Sequence, residues 1–196
     1  MCSSDLGLVL TCAGDPGIST YKKSRIGNTE IDRIAINTLK NSDSDYNVVD
    51  FFPFGSDERQ FCSPGFNLPV GSLMRTMYCK FFEYHTSGDN LEFVKKEFLL
   101  DSFLKCFQII FTLENNLSYV NLNPNCEPQL GKRTLYSNLG GQKTSDPLRK
   151  AILWVLNLSD GNHSLLDISD ISGLEFNLVK NAADLLLKND LLKILP

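Results

Sequence analysis

Histidine is scarce in this sequence: His85 and His163 are the two imidazoles in 196 residues. A multi-metal centre or proton relay that needs several imidazoles must draw the others from outside this chain. Excess positive charge is also lacking. Lys and Arg number 19 against 23 Asp and Glu, for a net charge of -4. That excludes a surface built on clustered cations to neutralise phosphates. No run approaches the roughly 20 apolar residues of a membrane-spanning helix. The opening MCSSDLGLVL carries neither the charged region nor the long apolar stretch of a secretory signal. The 6 cysteines form no C-x-x-C pair, so a thiolate zinc cluster is not expected, while reduced thiols in a cytoplasmic protein are. What is present points to a packed globular chain. Hydrophobic residues make up 42% and charged residues 21%, a balance that excludes disorder. The length suits one ordinary domain, or one with a small module.

Residues 7–13 (GLVLTCA) read as a buried strand closed by the turn residues Gly14, Asp15, Pro16 and Gly17. Over residues 28–39, Ile31, Ile34, Ala35 and Leu39 share one helical face, and Thr29 with Asp32 forms a capping pair. Residues 46–52 (YNVVDFF) read as a second strand, stopped by Pro53. Strand, loop, helix and strand at this spacing predict an α/β layout, a sheet covered by helices. Residues 54–90 are rich in Gly, Pro, Ser and aromatics, with one short strand candidate at 71–76. A loop of that length in a compact domain is more often functional than accidental. From Leu91 the helical period returns, and Leu100, Phe103, Leu104, Phe107, Ile110 and Phe111 form an apolar stripe expected to be core. Residues 116–146 read as an ordered connector. In 147–196, Asp146-Pro147 starts one helix, Ser164 with Asp167 caps a second that Gly173 breaks, and Phe176 to Leu187 define a third. A strand over 191–195 completes the pattern of a winged helix-turn-helix.

Three local signals can carry chemistry. Tyr84-His85-Thr86 is followed by Asp89, which can cap the next segment and so fix the loop and its imidazole, as a metal-ligating histidine requires. A solvated or structurally bonded histidine is the other reading. Asp57, Glu58 and Arg59 stand on a turn where adjacent acids can bind a substrate ammonium, or are simply a solvated charged turn. Asp15 follows the first strand, at the end where α/β sheets bind ligands, though an Asp before Pro is also an ordinary turn former.

The segments FPFGSDERQ, GFNLPVGSLMRT, EYHTSGDNL, NLNPNCEPQLG and WVLNLSDG, with LTCAGDPG and YKKSR before them, resemble bacterial aminopeptidase-like proteins of the di-zinc aminopeptidase superfamily that carry a C-terminal winged helix. The resemblance spans nearly the whole chain. It implies an α/β fold, the C-terminal part of a three-layer zinc-aminopeptidase-like sheet domain over 1–115, followed by the connector 116–146 and the winged helix over 147–196. It implies a hydrolase in which two zinc ions activate a water against a peptide or amide bond. By position, His85 matches the last metal-binding histidine, Asp15 matches an Asp that binds the other zinc, and Tyr84 matches a hydroxyl that stabilises the tetrahedral oxyanion. Asp57, Glu58 and Arg59 match the loop that lines the substrate pocket. The family's first histidine, bridging Asp, further carboxylate and general base all belong upstream of Asp15, and residues 1–6 fit no part of its pattern. The resemblance therefore implies the C-terminal portion of a larger enzyme, with an incomplete zinc site and little activity alone.

The C-terminal module raises the question of DNA. Residues 148–196 hold Arg149, Lys150, Lys180, Lys188 and Lys193 against 6 acids, and Lys180 is the one early cation on the third helix. DNA readers present several cations there, so no nucleic-acid partner is expected, nor a membrane. Docking of the winged helix on the peptidase domain or within an oligomer is expected instead. His163 reads as a surface turn residue. Three classes remain: a metallo-aminopeptidase or related amide hydrolase, a non-catalytic relative that binds a peptide or amine, and an interaction protein centred on the winged helix.

Overall fold

The computed structural model describes residues 5–42, 44–133, 135 and 146–195. The chain divides into two units, Met1–Leu113 and Glu114–Pro196.

In the N-terminal unit, β1 (Gly7–Leu10), β2 (Ser19–Lys22), β3 (Tyr46–Val49) and β4 (Val70–Met74) form one sheet in the order β1-β4-β2-β3. The β1–β4 and β2–β3 pairs are parallel, and β2 runs antiparallel to β4. Between β2 and β3 lies α1 (Glu30–Lys40), which buries Ile31, Ile34, Ala35 and Leu39 as its periodicity predicts. The expected capping pair forms, with Asp32 Oδ2 accepting from the Thr29 amide at 2.9 Å. The short α2 (Glu58–Phe61) precedes β4, and α3 (Lys96–Asn115) follows it after a long looped segment.

Two expectations for α3 need correction, and strand β2 carried no sequence signal. Residues 19–22 (STYK) carry no apolar alternation, yet all four are buried in β2. Their polar groups are bonded inside the unit: Ser19 Oγ accepts from Lys105 Nζ at 2.8 Å and Tyr21 donates to Asp32 at 3.0 Å. The helix expected from Leu91 begins at Lys96. Its apolar stripe is not core: Leu100, Phe103, Leu104, Phe107 and Ile110 are exposed, whereas Ser102, Lys105, Ile109 and Thr112 are buried.

In the C-terminal unit, β5 (Ser118–Asn121) lies within the stretch expected to be a connector and is the central strand of a second sheet, β6-β5-β7. Part of that stretch, 134 and 136–145, lies outside the described residues. Its neighbours β6 (Asp160–Ser164) and β7 (Leu192–Ile194) both pair antiparallel to β5. Three helices complete the unit: α4 (Pro147–Leu158), α5 (Leu165–Ser172) and α6 (Phe176–Lys188). Their starts follow the sequence signals. Asp146 accepts from the Leu148 amide at 3.0 Å, Ser164 and Asp167 form a capping box, and Gly173 ends α5 at a φ of 67°. His163 lies in β6, its Nδ1 2.9 Å from Asp160 Oδ1. Lys180 on α6 donates to Asp184 of the same helix at 2.6 Å. Ile152, Val155, Leu165, Leu166, Phe176, Val179 and Leu186 are buried together as the core. Truncating Phe176 to Ala leaves a ring-sized void there and costs about 3–5 kcal/mol. Urea unfolding followed by the emission of Trp154, the single tryptophan, reads that loss within this unit.

Among the described residues, no helix is long and apolar enough to cross a membrane.

Candidate active site

Parallel strands β1 and β4 end side by side, and the chain leaving each of them walls a cleft of about 550 Å³. Carboxyl ends of parallel strands are where open α/β sheets place ligands, because the departing loops diverge there. The segment after β1 contributes Cys12 to Asp15, and the loop before α2 contributes Gly55 and Ser56. The segment after β4 contributes Tyr78, Tyr84, His85 and Asp89. The remaining wall is apolar, from Phe81, Phe93, Val94 and Leu99. A close approach at Gly14 closes that wall. A Cβ there would stand 2.5 Å from Val94 Cγ1, while the Gly14 carbonyl accepts from the Lys95 amide at 3.0 Å.

His85 is exposed in the cleft and has a left-handed backbone, φ 57°. Its ring stacks on Tyr84 at 4.0 Å and 14°, and Tyr84 meets Phe81 edge-on at 5.4 Å. The imidazole is thus oriented by ring contact. Burial, followed by the neighbouring thiols Cys79 and Cys12, pushes the Tyr84 hydroxyl above its ordinary value. At neutral pH it therefore stays a proton donor. Asp15 is 2% exposed. Its Oδ1 accepts from the Gly17 amide at 2.8 Å, from the Thr76 amide at 3.1 Å and from the Thr76 hydroxyl. These bonds tie the end of β1 to the end of β4.

Of the loop residues, Glu58 does not offer a free carboxylate to the cleft. It is fully buried, and its Oε1 accepts from Lys22 Nζ at 2.9 Å. Lys22 spends its other two protons on the Phe54 carbonyl at 2.7 Å and the Tyr78 hydroxyl at 3.1 Å. Its ammonium lies 4.0 Å from the Phe52 ring centre. Gly55 makes this cage possible, because a Cβ there would come within 2.2 Å of Glu58 Oε1 and 2.4 Å of the Tyr78 hydroxyl. Asp57 and Arg59 are exposed at the first turn of α2, outside the residues that line the cleft.

The cleft therefore brings together His85, Tyr84 and Asp15, and leaves Asp57, Glu58 and Arg59 out of its lining. Sequence reasoning missed Cys12 and Tyr78 in the wall. Cys12 stands two residues past a strand end, the one signal that marks it. Burial raises its thiol, the Thr11 hydroxyl opposes, and the charges of Asp15 and Asp89 add to the rise. A thiol held neutral is no activated nucleophile. A second hollow, about 500 Å³, is lined by residues such as Pro124, Leu153 and Leu156 of the C-terminal unit and includes neither histidine.

Residues 2–116 match the family model described as "Domain of unknown function (DUF4910)". The chain belongs to this family. A winged helix-turn-helix model matches residues 117–194, in accord with the three helices and small sheet of the C-terminal unit. A Clostridium acetobutylicum relative, 54% identical over 189 residues, is described as a "Putative polysaccharide biosynthesis protein with aminopeptidase-like domain". The alignment covers 96% of this chain and 43% of that protein. The crystal structure of a "putative peptidase" from the same organism superposes with a TM-score of 0.88 at 51% identity, over 97% of this chain and 42% of its own. The DUF4910 chain thus spans less than half the length of these relatives. It has a mixed α/β fold with a peptidase-like structural neighbour and a C-terminal winged helix.

Proposed function

We propose that the DUF4910 segment forms one wall of an amide-hydrolase site of the aminopeptidase kind, acting on a peptide or small amide. The observation that carries this reading is the convergence, at one sheet end, of His85, Tyr84 and an apolar wall from the segment after β4 with Asp15 after β1 and Ser56 before α2. In this reading the Tyr84 hydroxyl, in the cleft wall beside His85, donates a hydrogen bond to the oxygen that becomes negative when the amide carbon is attacked. Phe81, Phe93 and Leu99 receive an apolar side chain and exclude water. Asp57 and Arg59 meet polar ends of the substrate at the rim, beside Ser56. Glu58 acts through Lys22 and Tyr78 by holding the loop that forms the floor.

Zinc is the cofactor the resemblance implies, and the donor set does not fit a complete centre. Among the described residues, no three His, Cys, Asp or Glu side chains lie close enough to hold a metal ion. Asp15 is already committed to Gly17 and Thr76. His85 is the donor this chain would offer, and no reaction step is assigned to zinc here. A role in binding without hydrolysis is the second reading, and the same sparse donor set favours it.

The chain alone is expected to release no p-nitroaniline from leucine p-nitroanilide above the uncatalysed rate, with or without added zinc. Zinc-dependent release by the purified chain that disappears in His85→Ala would show the site to be complete and overturn the partial-wall reading.

A further inference from the structure

The hollow of about 500 Å³ in the C-terminal unit has a wall of one electrical sign. Its volume falls in the range of sites that hold small molecules, roughly 300–1,000 Å³. Two stretches of chain form it, the segment that leaves β5 and the C-terminal end of α4. Leu153, Leu156, Pro124 and Pro128 supply its apolar part. Asn121 ties the two stretches together. Its Nδ2 donates to the Leu156 carbonyl at 2.8 Å and its amide to the Ser159 carbonyl at 2.8 Å.

No Lys or Arg lines this hollow, and three groups make it electronegative. The last turn of α4, Val155 to Leu158, holds no basic side chain to offset the partial negative charge of a helix C-terminus. Asp160 stands just past that end, and Glu127 adds a second carboxylate from the other stretch. The bond from the His163 ring, followed by that from the Asn162 amide, holds the Asp160 carboxyl down at about 2, so it is charged at neutral pH. Both bonds fall on Oδ1, at 2.9 Å from His163 Nδ1 and 2.8 Å from the Asn162 amide. Oδ2 has no partner among the described residues. A further observation points to a ligand. Ser159 lines the hollow and is 3% exposed, yet its Oγ is buried without a hydrogen-bond partner among the described residues. A buried hydroxyl in that state is costly, and a bound polar group relieves it.

We propose that this hollow binds a small organic cation, a primary amine on an apolar body. The ammonium donates to Asp160 Oδ2 and to Ser159 Oγ at the negative end of α4, while the body lies on Leu153, Leu156 and the two prolines. An anion of the same shape meets like charge. The inference is independent of the hydrolase reading, since this lining shares no residue with the cleft around His85 and needs no metal.

The test titrates the 196-residue chain with phenethylamine, and with 2-phenylethanol and phenylacetate as the neutral and anionic counterparts. Trp154 emission reports occupancy, because Leu153 and Asn157 line both this hollow and the smaller one that holds Trp154 and Lys150. Amide shifts in nitrogen-15 spectra locate the probe. Phenethylamine should bind one to one, at least about 10-fold tighter than either counterpart, as a charge-assisted bond warrants. It should move the amides of residues 153–160. Asp160→Asn should weaken the amine about 10-fold and leave 2-phenylethanol unchanged. Asn keeps the size of the side chain and an acceptor for the Asn162 amide, so the unfolding midpoint should hold. Glu127→Gln, at an exposed position, should give a smaller loss of the same sign without touching the fold. Four results overturn the proposal: no binding at millimolar amine, equal affinity for the three probes, shifts confined to the cleft around His85, or amine affinity unmoved by both variants.

Discussion

Replacing Glu58 with Ala is expected to lower the stability of the N-terminal unit by about 3–5 kcal/mol, the cost of leaving a buried charge without its partner. Lys22 and Glu58 are both fully buried, and Lys22 has no route to water. The carbonyl of Phe54 and the Tyr78 hydroxyl would remain, but neither carries charge. The rings of Phe52 and Phe51, 4.0 and 5.0 Å from the ammonium, recover about 2 kcal/mol at most. Circular dichroism during urea unfolding measures the loss, and Trp154 emission, confined to the other unit, should move little. A double replacement, Lys22→Met with Glu58→Leu, should cost far less than Glu58→Ala, because an apolar pair removes both charges together. A single substitution that costs under about 1 kcal/mol would mean that Lys22 relaxes to solvent, against the enclosed cage described above.

Asp32→Ala should cost about 3 kcal/mol or more at neutral pH, by stranding several buried donors at once. Asp32 accepts from the Ser24 amide and hydroxyl, both at 2.7 Å, from the Thr29 amide and hydroxyl at 2.9 and 2.6 Å, and from Tyr21 at 3.0 Å. It joins the start of α1 to the end of β2. Burial would raise this carboxyl, but the bonds from Thr29 and Ser24 outweigh it and hold the group below its ordinary value. A folded value below the unfolded one makes the stabilisation complete above about pH 4 and lost as pH falls through the folded value. The gap between parent and variant should therefore be widest at pH 7 and narrow below about pH 4. Asp101 has the same sign, with burial opposed by Lys105 and Arg75, so the variant retains part of the parent's acid sensitivity. A gap that widens on acidification would contradict the assignment.

Elements whose side chains follow a single rule were legible in the sequence. Helix α1 and the first two C-terminal helices combine apolar period with a cap, and each cap is seen, whereas α6 rests on period alone, its N-terminal Glu175 making no side-chain cap bond. Strand β2 was not legible, because its buried faces are satisfied by partners far along the chain, Lys105 for Ser19 and Glu58 for Lys22. Polarity in the sequence marks exposure only when no partner waits inside. Helix α3 misled in the opposite direction: its stripe has the period of a buried face, but that face is exposed while Ser102, Lys105 and Thr112 are buried. The candidate site divides along the same line. His85, Tyr84 and Asp15 sit at strand ends and loops that converge, and their positions could be argued from topology. Glu58 could not be placed, since whether an acid on a turn faces solvent or a buried lysine depends on a residue 36 positions away.

The proposed function turns on His85, the donor this chain would offer to a metal. The direct test is the zinc content of a chimera in which this chain replaces the matching segment of the C. acetobutylicum relative. About two zinc ions per molecule, as in two-metal hydrolase sites, falling toward one in His85→Ala, is the result expected. Zinc content unchanged by His85→Ala, or no bound zinc in either protein, would contradict it.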